Sequence, residues 1–324
     1  MSVKQIANLI ADDLDRVEEA IATHLESDVS FISEVSNYVL SSGGKRIRPV
    51  LLILCARLGN YVSERVYDLC TVIEFIHTAT LLHDDVIDNA HLRRGNPTVN
   101  ARWGNEISIL IGDYLYAKAM ELSLQDKDHL VMETVARVTK EMAKGQVIET
   151  LKERDLSISE DDYYRIIALK TAALFEGSCT IGSLAAGLSP QQRAHVSAFG
   201  YHLGLAFQMA DDTLDFVAPE ATLGKPVNND LKEGKITLPV IMALPLATEA
   251  EVALIDAYLQ NPDATDTDFQ AVIDILNQYG TLQSTMAKAQ AQVEMAKAQL
   301  VDFPPSTALE TLLTLADYVT TRNV

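Results

Sequence analysis

No proline occurs between Pro97 and Pro190, and neither glycine nor proline occurs between Gly59 and Gly95. Spans this free of breakers, with apolar residues recurring every three to four positions, favour long helices over short strands. One helix is expected over roughly 63–90, where His77, Leu81, Asp84 or Asp85, and Asp88 fall on one face. Its β-branched residues, Val72, Ile73, Ile76, Val86 and Ile87, would also suit a strand, but the length decides for helix. A second helix, roughly 192–217, aligns Gly200, Gly204, Gln208, Asp211 or Asp212, and Asp215. Glycine inside a helix costs about 1 kcal/mol against alanine, so two of them one turn apart predict close packing by a neighbouring helix or a ligand. Further helices are expected around 3–25, 105–125, 129–153, 160–186, 236–246 and 283–300, and Asn261–Asp268 reads as a loop.

With 324 residues, 48% of them hydrophobic, the chain can bury a large core. Glycine and proline are scattered and no linker stands out, so a single domain over 1–324 is expected. A net charge of −19 argues against nucleic acid as a partner, because phosphate backbones demand a basic footprint. Cys55, Cys70 and Cys179 lie in apolar surroundings without metal or redox spacing, which fits reduced thiols and a cytoplasmic protein. The acidic, amphipathic first twenty residues do not read as a signal peptide. No apolar run approaches the roughly 20 residues that cross a bilayer, so no membrane anchor is expected.

The chemistry concentrates in two aspartate clusters of identical spacing, Asp84-Asp85-Val86-Ile87-Asp88 and Asp211-Asp212-Thr213-Leu214-Asp215. Residues four apart share a helical face, so each cluster sets like charges side by side and calls for a cation. Hard oxygen donors without cysteine or histidine partners suit Mg²⁺, which keeps several waters and accepts phosphate oxygens as ligands. A solvated acidic face would explain one such cluster, but two copies embedded in apolar sequence make that reading much weaker. One acidic helix in each half of the chain predicts an all-α bundle, with both clusters facing a central cavity. Lys45, Arg46, Arg48, Arg93 and Arg94 form two tight basic groups on an acidic background, which suggests local anion sites.

Three stretches in order carry a further signal: SSGGKRIRP at 41–49, EFIHTATLLHDDVIDNAHLRRGNPT at 74–98, and GLAFQMADDTLDF at 204–216 followed by LGKPVNNDLKEGKITLP. On these motifs the chain resembles the trans-isoprenyl diphosphate synthases, and over nearly its whole length the long-chain, octaprenyl-type members. The resemblance implies Mg²⁺, about three ions per active site, held by Asp84, Asp85, Asp88, Asp211, Asp212 and Asp215. The outer aspartates are preferred over Asp85 and Asp212 as direct ligands. It also implies that Lys45, Arg48, His77 and Arg94 hold the diphosphate of isopentenyl diphosphate. Arg93, Lys170, Thr171, Gln208, Lys225 and Lys235 would surround an allylic diphosphate, and a homodimer is the usual assembly. Gly43-Gly44 ahead of Lys45 would let backbone approach the anion. Carboxylates alone would repel a diphosphate, whereas metals with arginine and lysine reverse the sign of the field.

The implied reaction ionises the allylic C–O bond, lets the alkene of isopentenyl diphosphate attack the cation, and loses a proton. Thr171 and Gln208 would stabilise that cation, and water must be excluded. Ala79 and Thr80 stand about one turn before Asp84, where short-chain relatives tend to carry aromatic side chains. Both residues are small, so a long-chain product is expected, with Met120, Leu124 and Met142 as candidates for the tunnel floor. Ordinary core packing is the competing reading for those three. A shorter-chain synthase and a non-catalytic subunit of a heteromeric synthase remain the alternatives, although such subunits usually lose part of an aspartate motif and both are complete here. A nucleotide phosphohydrolase built around His83-Asp84 would leave the second cluster unexplained.

Overall fold

The computed structural model describes residues 9–41, 46–61, 63–126, 128–217, 229–261 and 264–321, and these are overwhelmingly helical. The helices are α1 (Ala11–His24), α2 (Ser30–Ser41), α3 (Ile47–Leu58), α4 (Arg65–Ile87), α5 (Val99–Trp103), α6 (Asn105–Gln125) and α7 (His129–Lys152) in the first half. The second half holds α8 (Glu160–Ile167), a π turn at Ala168–Ala172, α9 (Ala173–Ala185), α10 (Pro190–Val217), α11 (Asn229–Glu233) and α12 (Leu238–Ala243). It ends with α13 (Glu249–Gln260), α14 (Asp266–Gln278), α15 (Thr281–Ala298) and α16 (Thr307–Thr321). Among the described residues the strands are β1 (Leu92–Arg93) and β2 (Asn96–Pro97), a small antiparallel hairpin between α4 and α5.

The centre of the bundle is α4, whose 23 residues span about 35 Å. Its side chains are apolar on nearly every face, with Val66, Leu69, Val72, Phe75, Ile76, Ala79 and Leu82 all buried, as expected of a helix that neighbours surround. It packs on α1, α3, α6 and α9, while α10 lies between α9 and α15. One hydrophobic core joins α4 to α6, α7 and α9, a second joins α3, α9 and α10 to α15 and α16, and a third sits beneath α8 and α12–α15.

Three sequence expectations change. The helix expected over 160–186 is broken into α8 and α9 by the π turn, which holds Lys170 and Thr171. Two glycines show why the turn sits there. A side chain at Gly145 of α7 would come within 2.6 Å of the Lys170 backbone nitrogen, and one at Gly204 of α10 within 2.6 Å of the Ala172 Cα. The turn is therefore clamped between two helices that approach to backbone contact. A neighbouring helix likewise explains Gly200, where a Cβ would meet the Phe175 carbonyl at 2.7 Å. Second, the expected loop at Asn261–Asp268 gives way to α14 from Asp266, because Thr265 caps it and Asp268 completes a capping box. Third, α4 ends at Ile87 rather than 90, with Asp88 as its cap.

Candidate active site

Asp84, Asp85 and Asp88 close the last turn of α4, where the Asp88 N–H donates to the Asp84 carbonyl at 2.8 Å. The chain then turns back through the hairpin. Arg94 and Gly95 form its two-residue loop with φ of 53° and 77°, the positive pair of a type I′ turn. This reversal returns Arg93 to α4, where its Nη2 and Nε donate to Asp85 Oδ1 at 2.7 and 2.9 Å. Asn100 Nδ2 ties the hairpin down by donating to the carbonyls of Asp85 and Ala90, both at 3.1 Å.

The second cluster occupies the C-terminal end of α10, with Asp212 and Asp215 buried. Asp212 accepts from Tyr163 Oη at 2.6 Å on one oxygen and from Gln208 Nε2 at 2.7 Å on the other. Thr171 Oγ1 in turn donates to Gln208 Oε1 at 2.7 Å. Asp215 Oδ2 accepts the backbone N–H of Asp230 at 3.1 Å, which fixes α11 against α10.

Two lysines connect the halves. Lys170, projecting from the π turn, lies 3.7 Å from Asp84 Oδ2 and pairs with Glu149 of α7. Lys235, just after α11, lies 2.8 Å from both Asp88 Oδ2 and Glu233 Oε2. Both lysines line one cavity together with Glu149, Tyr163, Thr171, Gln208, Asp212 and Asp230. Burial alone would lower both lysine pKa values, but Glu149 with Asp84, and Glu149 with Glu233 and Asp88, hold them raised. Burial pushes Asp84 and Asp85 up despite their cationic neighbours. Asp212 is raised further, by burial and then by Asp230. The cavity therefore concentrates carboxylate charge that its lysines only partly offset.

A second cationic zone lies along α3 and α4. Arg46, in a left-handed conformation with φ of 45°, is saturated by Glu18, Glu74 and the Leu40 carbonyl. Arg48 differs: its guanidinium stacks 5.0 Å over Phe175 and its Nε is buried with no hydrogen-bond partner. Burial lowers Arg48 to about 10, and burial with Arg93 lowers Arg94. His77 is pushed well below its usual value by burial and then by Arg48, Arg93, Arg94 and Arg46. Arg46 and Arg93 have carboxylate partners, but Arg48 keeps a buried Nε without one, and an anion would relieve it.

Lys45 and Lys225, with Gly43 and Gly44, lie outside the described residues. Ala79 is fully buried in α4, while the half-buried Thr80 donates to the His77 carbonyl at 2.6 Å. Met142 is buried in α7, but Met120 and Leu124 are 36% and 68% exposed. They sit on the outward face of α6, opposite Ile111, Leu115 and Leu122, so they do not floor an interior channel of this chain. Sequence reasoning missed Glu149 and Tyr163, whose roles come only from tertiary contact, and passed over Asp230 and Glu233 although both lie in the LGKPVNNDLKEGKITLP stretch.

The donor chemistry fits Mg²⁺. The clusters offer hard carboxylate oxygens, and among the described residues no three His, Cys, Asp or Glu side chains converge to enclose an ion by themselves. A cation that keeps waters and shares phosphate oxygens suits such a partial donor set.

An all-α bundle in which Asp212 of one acidic helix end lines a cavity with two lysines, and those lysines reach Asp84 and Asp88 of the other, is the isoprenoid synthase architecture, and comparisons place the chain within it. The polyprenyl synthetase family model matches residues 29–276. Octaprenyl diphosphate synthase of Escherichia coli is 36% identical over 323 residues, covering 100% of both chains. Heptaprenyl diphosphate synthase component 2 of Geobacillus stearothermophilus is 35% identical, again covering 100% of both. A polyprenyl synthase of Caulobacter crescentus CB15, solved with calcium and isoprenyl diphosphate, superposes with a TM-score of 0.95 at 35% identity, covering 100% of this chain and 98% of that one. The chain belongs to the polyprenyl synthetase family. It is a trans-prenyl diphosphate synthase, and hence a prenyltransferase.

Proposed function

We propose that this enzyme condenses isopentenyl diphosphate repeatedly onto an allylic diphosphate, farnesyl diphosphate in the first instance, to make all-trans octaprenyl diphosphate. The observation that carries the substrate assignment is the pairing of two cationic zones with one acidic cavity. Lys170, Lys235 and Arg93 stand beside the aspartates, and Arg48, Arg94 and His77 form the second zone. Lys225 would join the first set and Lys45 the second.

Asp84, Asp88, Asp211 and Asp215 would be the principal Mg²⁺ ligands, with Asp85 and Asp212 completing the clusters. When bound, Mg²⁺ neutralises charge that builds on the departing diphosphate. Lys170, Lys235 and Arg93 hold that diphosphate and stabilise the same charge as the allylic C–O bond breaks. Arg48, with His77 and Arg94, grips the diphosphate of isopentenyl diphosphate and fixes its alkene against the cation. Thr171 and Gln208 present uncharged oxygen dipoles to the cation. The apolar walls, including Ile166, Ile167 and Ile236, exclude the water that would give an alcohol. A proton then leaves to the released diphosphate.

Chain length follows from the residues beneath the aspartates. Ala79 and Thr80 are small side chains about one turn before Asp84, which supports a long product, as does full-length similarity to an octaprenyl synthase. The resemblance to a heptaprenyl synthase component 2 favours a second reading, in which a partner subunit is needed. A homodimer is the assembly we favour, because Leu110, Met120 and Leu124 lie along the outward face of α6 at helical spacing. Incubating the purified protein with Mg²⁺, farnesyl diphosphate and labelled isopentenyl diphosphate, then sizing the products, separates the octaprenyl, short-chain and heteromeric readings, and sedimentation of the same protein tests the homodimer. Octaprenyl product from the chain alone is expected. A C15–C20 limit would give the short-chain reading, and inactivity relieved by a second subunit the heteromeric one.

A further inference from the structure

Tyr163 has no place in the motifs above, yet it is the buried end of the hydrogen-bonded chain that reaches Thr171. Its helix α8 is anchored by a capping box, in which Ser159 Oγ accepts from the Asp162 N–H at 3.1 Å and Asp162 accepts from the Ser159 N–H at 3.2 Å. The Tyr163 N–H bonds back to the Ser159 carbonyl at 3.1 Å, and its ring packs edge-on to Tyr164 with centroids 6.0 Å apart. The phenol is thus held rigidly at 2.6 Å from Asp212 Oδ2.

The direction of each bond follows from donor and acceptor chemistry. A phenol and a primary amide nitrogen both donate, so the two oxygens of Asp212 accept from Tyr163 and from Gln208. That fixes the Gln208 amide with its oxygen toward Thr171. The Thr171 hydroxyl has a single proton, and it is spent on Gln208 Oε1. Only lone pairs are left on Thr171 to face the cavity that it lines.

We propose that Tyr163 is a positioning residue: by holding Asp212 it orients Gln208, and so keeps the Thr171 oxygen lone pairs, rather than its O–H, toward the allylic carbon that becomes cationic. This rests on the proposed ionisation of an allylic diphosphate in the cavity. A flipped Gln208 amide would let the Thr171 proton swing inward, where it would meet the developing positive charge with the wrong end of its dipole.

The test is Tyr163→Phe, which removes one oxygen. The single-turnover rate of condensation falls by about tenfold, the weight of one hydrogen bond to a charged group. Affinity for a non-ionisable thio-analogue of the allylic diphosphate, measured by calorimetry with Mg²⁺, stays within about twofold, because ground-state binding does not need the lone pairs. In a Thr171→Val background, Tyr163→Phe has no further effect on the single-turnover rate, the non-additivity expected of residues acting as one unit. An unchanged rate in Tyr163→Phe, equal losses of rate and analogue affinity, or additive losses in the double variant would overturn the proposal. On the unaltered, ligand-free protein, selective ¹⁵N-glutamine labelling should show one slowly exchanging side-chain amide that disappears in Gln208→Met. Rapid exchange of that amide would also overturn it, even if Tyr163→Phe failed to fold. Wild-type protein that binds no analogue and makes no product would instead count against the proposed function.

Discussion

Lys235 Nζ lies 2.8 Å from Asp88 Oδ2 and joins segments 147 residues apart in sequence. Both side chains are largely buried, at 14% and 12% exposure. The bond ties the end of α4 to the segment after α11, and through Asp230 and Asp215 to the end of α10. Lys235→Met would remove a charge that Asp88 and Glu233 share. Removing one partner of a buried pair costs about 3–5 kcal/mol, and partial exposure argues for about 2–3 here. Urea unfolding of the metal-free protein should show that loss, with part of it recovered when Mg²⁺ and inorganic diphosphate are added. Equal stability of variant and wild type would show that the pair contributes nothing.

His77 gives a pH dependence of definite sign. Its folded pKa lies below the ordinary value because burial and four arginines disfavour the imidazolium. The unfolded chain therefore binds a proton that the folded chain refuses, and the His77 contribution to stability is present above about 6.5 and lost as pH falls below it. Comparing wild type with His77→Asn between pH 7.5 and 5.5 isolates this term. The wild type should lose more stability over that interval than the variant. Parallel curves would mean that His77 titrates normally.

Arg48 carries a buried Nε with no partner in the protein. If isopentenyl diphosphate supplies that partner, Arg48→Gln should raise the KM for isopentenyl diphosphate by about 10- to 100-fold, the weight of a hydrogen bond between charged groups. The KM for the allylic substrate should move by less than about threefold. Arg48→Lys should restore little, since an ammonium lacks the planar fork that stacks on Phe175. Steady-state kinetics with each substrate varied in turn would check this, and equal rises in both KM values would contradict it.

Ala79 offers the most direct control of product length. Ala79→Phe should shorten the products by several isoprene units on reversed-phase thin-layer analysis, with turnover of the first condensation retained. If Ala79 instead packs only against core, the larger side chain costs about 1–3 kcal/mol of overpacking and leaves the product profile unchanged.

Repetition and clustering mark the two aspartate triplets, the Arg93-Arg94 pair and Arg48 in the sequence, while His77, Lys170, Thr171, Gln208 and Lys235 are legible only through the family resemblance. The long helices α4, α6, α7 and α10 were also visible, because their length outlasts any strand. The π turn at Lys170 was not, since one inserted residue barely disturbs a periodicity read over three turns. Gly145 was its trace, a glycine on a helix that Lys170 needs bare. Glu149 stands on α7 among Lys140, Glu141 and Lys144, and so reads as one more solvated charge until Lys170 meets it. Tyr163 carries no spacing signal at all, because its partner Asp212 is 49 residues away. The helices α2, α3, α13 and α16 are short and owe their stability to packing, which periodicity alone does not report.

The central claim is that both aspartate clusters and the lysines between them grip one diphosphate leaving group. A crystal structure with Mg²⁺ and a non-ionisable thio-analogue of farnesyl diphosphate tests it most directly. The account predicts metal ions lodged between Asp84, Asp88 and Asp211 and the analogue diphosphate, with Lys170 and Lys235 turned from the carboxylates toward its oxygens. A diphosphate bound away from this cavity, or bound there with either cluster unengaged, would contradict it.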